Sequence, residues 1–494
     1  MTSDLSNFDR RFSDLLDDMD LLKSASFIDG TWTAGGAGAT FDVTDPADGS
    51  FVATVASLSG DESRSAVDAA ARAYPDWGTA LPQVRAAVLK RWYDLILANK
   101  EDLAKIMSVE QGKPLSEARG EIDYAASFVE FYAEEAKRPN IESVTSHLED
   151  AEMEVWREPK GVAALVTPWN FPSAMLTRKA SAALAAGCTV VAHPSHETPL
   201  SALALAVLAE RSGFPPGTFN VVAGEPNTIV SPWIDDPRVR VLSFTGSTRI
   251  GKMLYRNAAE TLKHVVLELG GHAPFILFDD ADFDLAVREA VNAKFATSGQ
   301  DCLAANRFFV HRAVYDDFCK AFADKVAALT VGRGLDDCDI GPLMNAAGVE
   351  KQVEHVEDAK AKGARVLVGG GRHEAGENFF EPTLLADVPD DAEIMSDETF
   401  GPVAAVTPFD DEADVLARAN ATNYGLVAYL HTMDPRRIYK FSRALQFGMV
   451  AVNRTKLTGP PIPFGGVKES GLGREGARTG MEEFMDVKYV CRQW

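Results

Sequence analysis

Three side chains in this sequence have the type and setting for chemistry at a carbonyl. Cys302 lies in Gly299-Gln300-Asp301-Cys302, a polar loop just ahead of a strand-like run over residues 306–310. Most cysteines are small buried hydrophobes, a reading that suits Cys188, Cys319 and Cys338. The glycine and polar neighbours of Cys302 favour exposure instead, and so use as a nucleophile. Glu268 ends the apolar run Val265-Val266-Leu267-Glu268 before Gly270-Gly271. Buried there, its carboxylate is expensive to ionise and its pKa moves up toward neutrality, as a general base requires; the alternative is a strand-end glutamate facing water. Asn170, in Thr167-Pro168-Trp169-Asn170-Phe171-Pro172, follows a buried strand and offers an amide to a developing oxyanion, or is simply a turn residue. A fourth segment, Phe244-Thr245-Gly246-Ser247 continuing to Gly251, runs from a strand into a helix and presents free N–H groups where a phosphate could sit. It lacks the GxGxxG pattern and also fits a plain tight turn.

The elements around these residues form an alternating series. Residues 61–136 read as helices with short breaks. From Gly161 onward, short buried strands (162–166, 189–191, 219–222, 239–244) alternate with helices, including an Ala-rich one over about 173–186. This indicates a parallel, doubly wound sheet. A second alternating set runs from 271 to about 449, hence a second α/β domain. Residues 141–156 and 486–494 look like polar strands far apart in sequence, and another subunit is the simplest cover for such edges. Phe8, Phe12, Leu15, Leu16 and Met19 fall at helical spacing, so the N-terminal arm is expected to form an amphipathic helix.

Composition narrows the function class. The 494 residues carry 49 Lys and Arg against 72 Asp and Glu, a net charge of −23, which disfavours nucleic acid and anionic membrane surfaces. Five irregularly spaced cysteines form no disulfide framework and suit a reducing, cytoplasmic setting. The acidic start of the chain is no secretory signal, and no apolar run reaches the ~18 residues of a membrane span.

Taken together, the segments Thr167–Pro172, Phe244–Gly251, Leu267–Gly271, Gly299–Cys302, Glu398–Val403 and Pro463–Gly473 resemble, in order, the motifs of the aldehyde dehydrogenase superfamily. The likeness runs from about Ser26 to the C-terminus. Glu110–Pro114, Thr177–Lys179 and the helix over 180–188 are most similar to the succinate-semialdehyde branch. The resemblance implies a Rossmann-like cofactor domain (1–140 and 159–270), an α/β catalytic domain (271–470), and a small β oligomerisation element (141–158 and 475–494). It also implies a homodimer or homotetramer whose C-terminal strand pairs with a neighbouring subunit. It makes Cys302 the nucleophile that forms a thioester, Asn170 and the Cys302 N–H the oxyanion donors, and Glu268 the base that activates water. Thr167, Trp169, Gly246, Ser247, Glu398 and Phe400 then hold an NAD or NADP cofactor. A base at 268 argues against a CoA-acylating enzyme, and the intact trio against a non-catalytic, structural member of the superfamily.

Departures from the family pattern carry the specificity. His193, in Ala192-His193-Pro194-Ser195-His196, replaces the usual lysine, and His196 stands where a glutamate would select NAD. Two imidazoles, mostly neutral at pH 7, offer little to a 2′-phosphate, so His193, Ser195 and His196 lean the expectation toward NAD. No third ligand accompanies the histidines, so no metal is expected. Arg178 matches a carboxylate-binding arginine of the branch, whose second arginine is Ala296 here; Arg454 and Lys456 are the candidate replacements. Asp301 resembles members that oxidise aminoaldehydes. A lining with net positive charge favours a carboxylate-bearing semialdehyde such as succinate semialdehyde, with aspartate semialdehyde or another amino-bearing aldehyde as the alternative. Asp301 next to a thiol calls for a nearby cation.

Overall fold

The computed structural model describes residues 5–36, 38–138 and 140–493. Five short strands rich in Val, Ala and Leu form the parallel centre of an eight-stranded sheet, in the order His264–Glu268, Val239–Thr245, Val162–Val166, Thr189–His193, Phe219–Val221. The chain enters at Val162–Val166, winds outward in one direction, then returns to wind in the other. The carboxyl ends of Val162–Val166 and Val239–Thr245 therefore flank a topological switch point, where ligands bind open α/β sheets. The sheet is closed at one edge by the antiparallel hairpin of Ser26–Ile28 and Thr31–Thr33. At the other edge sits the two-residue strand Gly471–Leu472, paired with Glu268 and Leu267. The Pro/Gly-rich stretch over residues 459–476 thus reaches back and pins the strand that carries Glu268.

A second sheet of seven strands is parallel except at one edge. Its order is Arg365–Val368 (the antiparallel one), Thr383–Ala386, Val403–Phe409, Ala305–His311, Ala273–Leu277, Val427–His431, Met449–Val452. The helices over 61–136 are four: Gly60–Thr79, Pro82–Ala98, Lys100–Gln111 and Leu115–Glu135. The first is closed by a Ser59–Glu62 capping box. Helix Pro172–Ala186 starts on a proline, ends at Gly187 with φ 104°, and buries every residue along its length.

Two expectations change. The N-terminal arm is not one helix: it breaks into short turns, Leu5–Asn7, Phe12–Leu15 and Met19–Leu21. The Asp102 carboxylate accepts the N–H groups of Asp17 and Asp18 and stops the helix there, while Phe8, Phe12 and Leu16 are still buried. The C-terminal strand, Met485–Arg492, pairs along its length with Glu152–Pro159 of its own chain, and Ile141–Val144 flanks the other side. The cover for Glu152–Pro159 is therefore internal. Among the described residues no helix is long and apolar enough to cross a membrane.

Candidate active site

The two sheets meet at a cavity of about 850 Å³, lined by residues from the ends of both. From the first sheet come Trp169 and Asn170 after Val162–Val166, Gly246 and Ser247 after Val239–Thr245, and Glu268 at the end of its strand. From the second come Asp301 and Cys302 just before Ala305–His311, and Glu398 and Phe400 before Val403–Phe409. The expected nucleophile, base and amide, 132 residues apart in sequence between Asn170 and Cys302, thus face one space.

Each is held by identifiable contacts. Asn170 is buried; its Nδ2 donates to the Gln300 carbonyl at 3.0 Å, and its own carbonyl accepts the Lys113 Nζ at 2.9 Å. Lys113 in turn bridges to Glu121 at 2.5 Å, and Glu121 accepts the Ser173 and Ala174 N–H groups at the start of the Ala-rich helix. The amide is anchored on both sides by its backbone and its own side chain. Gln300 is fixed as well, with its Oε1 accepting the Met344 N–H at 2.9 Å. The loop before it is strained: Thr297 and Ser298 both hold left-handed φ, 52° and 55°, unusual for a β-branched residue. Glu117 accepts the Thr297 N–H, and Ser298 exchanges hydrogen bonds with Gly341, which holds that turn in place.

Glu268 is only 2% exposed, so the water-facing alternative falls, and neither carboxyl oxygen has a hydrogen-bond partner among the described residues. Burial, reinforced by the charge of Glu475, pushes its pKa well above the carboxylate range. Glu475 went unnoticed in the sequence. It is buried against Arg178 Nε at 2.6 Å and against the Lys179 ammonium. Burial works against its charge, yet these two cations hold it below the ordinary carboxylate range. A glutamate in a Gly-rich segment gave no sign of a partner 296 positions away. The Cys302 thiol is pushed up by burial first, then by Asp301 and Glu398.

The cofactor candidates divide in two. Around the cavity, Glu398 accepts the Gly271 N–H at 2.8 Å, and a Cβ on Gly270 would come 2.7 Å from its other oxygen. Trp169 and Phe400 meet edge to face with ring centres 5.6 Å apart, and Phe400 itself has φ 53°. The hydroxyls of Thr167 and Thr245 are buried without partners among the described residues, and Ser247 caps the eleven-residue helix Thr248–Ala258. Orphaned hydroxyls, a helix N-terminus and a side-chain-free approach at Gly270 together fit a dinucleotide. His193, Ser195 and His196 lie apart from this cavity's lining. His193 is buried, with Nδ1 on the Val222 carbonyl at 2.9 Å and no partner on Nε2 among the described residues. Burial lowers its pKa to about 4, so the ring is neutral. His196 is exposed. Among the described residues no group of His, Cys, Asp or Glu forms a metal site.

The substrate candidates need correction. Arg178 and Lys456 line the cavity, joined by Tyr124, Thr458 and Phe464, which the sequence reading did not single out. Arg454 is exposed and outside the lining, because its loop turns it away from the wall that Lys456 reaches. Arg178 spends its charge on Glu475, lies over the Phe464 ring at 4.3 Å, and touches the Met175 sulfur at 3.0 Å. No ion pair reaches Asp301 among the described residues; Lys113, the cation acting on it most, is committed to Glu121. Net positive charge around the cavity is therefore not what this structure has.

Comparison with known proteins gives the family. The model of the aldehyde dehydrogenase family matches residues 32–490. An aspartate-semialdehyde dehydrogenase (non-phosphorylating) of Halomonas elongata is 52% identical over 97% of each chain. The NADP(+) succinate-semialdehyde dehydrogenase GabD of Escherichia coli is 48% identical over 96% of this chain and 99% of its own. The crystal structure of a succinate-semialdehyde dehydrogenase from Burkholderia pseudomallei superposes with a TM-score of 0.96 at 47% identity, covering 97% of this chain and 100% of that one. The chain belongs to the aldehyde dehydrogenase family, and it is an aldehyde dehydrogenase that works with NAD or NADP.

Proposed function

We propose that the protein oxidises a small semialdehyde bearing a terminal carboxylate, of the succinate-semialdehyde type, to the acid. The observation that carries this reading is the meeting of Cys302, Glu268, Asn170, Arg178 and Lys456 on one cavity. Cys302 attacks the aldehyde carbon, and the resulting oxyanion is held by the Asn170 amide and the Cys302 N–H; removing one such donor elsewhere costs ~10²–10³ in rate. NAD or NADP supplies the acceptor for the hydride that leaves the carbon. Glu268, its proton affinity raised by burial, acts in its carboxylate form: it takes a proton from the water that attacks the Cys302 thioester, and passes a proton to the thiolate that leaves. Glu475, held charged by Arg178 and Lys179, keeps a fixed negative charge behind Glu268 and so maintains its proton affinity. Lys456, with Tyr124 and Thr458, is positioned for the substrate carboxylate. A panel of uncharged and ω-carboxylated aldehydes tests this. A carboxylated member should lead in kcat/KM, and uncharged aldehydes outperforming all of them would overturn the reading.

For the cofactor the reading leans to NAD. With Nδ1–H committed to Val222, His193 offers only a lone pair at Nε2, which suits a ribose hydroxyl and gives a 2′-phosphate no charge. His193→Lys should tighten NADP more than NAD in a binding titration; equal effects would reject a role for His193 at the ribose. The assembly is a homodimer or homotetramer formed through the three-stranded sheet, supported by exposed Ile141, Val144, Val487 and Tyr489 on it. A monomer by light scattering at working concentration would reject it. Cofactor domain 1–140 with 159–270, catalytic domain 271–470, and oligomerisation element 141–158 with 475–494 are the corresponding units.

A further inference from the structure

Both supports of the Asn170 amide lead back to one corner of the fold, where Gly112 and Lys113 run into helix Leu115–Glu135. Lys113 donates to the Asn170 carbonyl, and Glu121 caps the helix that follows Asn170. Glu117 lies one helical turn before Glu121 on the same face and crosses to the second sheet. Its carboxyl oxygens lie 2.9 and 3.0 Å from the Thr297 nitrogen, at the left-handed turn that leads into Gln300. Two successive non-glycine residues in that conformation persist only where their surroundings hold them. The far side of the turn is held by Gly341–Met344: Gly341 bonds Ser298, and Pro342 and Met344 bond the Gln300 side chain. That segment rests on the same corner, since a Cβ on Gly341 would collide with the Gly112 carbonyl and one on Gly334 with that of Lys113. Asp337 ties it further by accepting the Ser116 N–H at 2.7 Å. Burial raises the Glu117 pKa, but a carboxyl accepts an N–H in either protonation state.

We propose that Glu117 is a positioning residue for the oxyanion site: by fixing the Thr297 turn it fixes the Gln300 carbonyl, and through that carbonyl it aims the Asn170 amide. The amide has two N–H groups. One is spent on the Gln300 carbonyl at 3.0 Å, which sets the plane of the amide and so the direction of the other. One helix therefore carries both supports of the donor across the junction of the two sheets, and the donor is aligned before substrate arrives. This rests on Asn170 being an oxyanion donor.

The test is a double-variant cycle on the full-length enzyme, with 4-oxobutanoate and NAD(P) as substrates. Asn170→Ala should lower kcat by the ~10²–10³ that a lost oxyanion donor costs. Glu117→Ala, and the length-matched Glu117→Met, misaim that donor and should lower kcat about tenfold or more, with KM nearly unchanged. Glu117→Gln keeps an oxygen for the Thr297 N–H and should restore most of the rate. Added to Asn170→Ala, Glu117→Ala should cost less than about twofold more, because no amide is left to aim. Alkylation of Cys302 by iodoacetamide, a displacement that builds no oxyanion, should keep its wild-type rate in every variant. Unchanged kcat in Glu117→Ala and Glu117→Met, a loss in Glu117→Gln as large as theirs, or a raised KM at wild-type kcat would each overturn the inference. So would a loss that multiplies with that of Asn170→Ala or that slows alkylation equally, since the turn would then serve the nucleophile. Wild-type kcat in Asn170→Ala would instead overturn the oxyanion reading beneath it.

Discussion

A methyl group added at Gly271 should disable the enzyme without unfolding it. A Cβ built there falls 2.0 Å from the Cys302 carbonyl oxygen and 3.2 Å from its carbon. Ordinary contact begins near 3.4 Å, so one of the two segments must retreat by about 1.4 Å. The Gly271 side is the less free: its N–H is held by Glu398 at 2.8 Å, and the preceding Gly270 carbonyl accepts the Ser470 hydroxyl at 2.7 Å. The displacement therefore falls on Cys302. Misplacing a reacting group by ~1 Å costs about 10²-fold, or roughly 2.7 kcal/mol of transition-state stabilisation. The overpacking itself should cost about 1–3 kcal/mol of stability. Gly271→Ala should thus lower kcat at least about a hundredfold in an initial-rate assay of NAD(P)H formation, with a cooperative thermal unfolding transition retained. Gly60→Ala is the matched control, since its Cβ meets nothing closer than 3.6 Å, and it should leave rate and stability nearly unchanged. Wild-type kcat and wild-type Cys302 alkylation in Gly271→Ala would refute the claim that this glycine sets the position of the nucleophile.

Glu268→Gln should give a rapid burst of NAD(P)H equal to the enzyme concentration followed by slow turnover, because acylation proceeds and thioester hydrolysis loses its base; a steady rate with no burst contradicts that role. Glu475→Ala leaves Arg178 and Lys179 as buried, uncompensated charges and should lower stability by about 3–5 kcal/mol in urea denaturation. A loss under about 1 kcal/mol would mean that water or a rearranged side chain replaces the carboxylate. Cys302 and Glu268 both sit above their ordinary pKa values, and both act deprotonated, so the rate of aldehyde oxidation should climb with pH through neutrality, by up to about tenfold per unit for each group that limits it. A plateau from about pH 6 upward would show that neither group limits the reaction.

Much of this molecule is written locally. Runs such as residues 162–166, and 239–244 apart from Arg240 and Ser243, are apolar over strand length and bounded by turns, so their burial in a parallel sheet follows from their own composition. The Ala-rich helix between a proline start and a glycine stop is equally local, and so is the cost of burying Glu268 at the end of an apolar strand. The motifs around Asn170, Gly246, Glu268, Cys302 and Glu398 could be located because each is a short turn at the end of such an element. What could not be read is which charge meets which. Arg178 was visible as a cation, but only the fold places Glu475 at its Nε from 297 residues away and removes it as a free charge. Arg454 and Lys456 are two residues apart and chemically alike, yet only Lys456 reaches the cavity. The N-terminal arm had helical spacing, and a carboxylate from Asp102 ended the helix by capturing two of its N–H groups. Periodicity and propensity act over a few residues and survive in the sequence, whereas electrostatic compensation acts through space between residues that only the closed fold brings together.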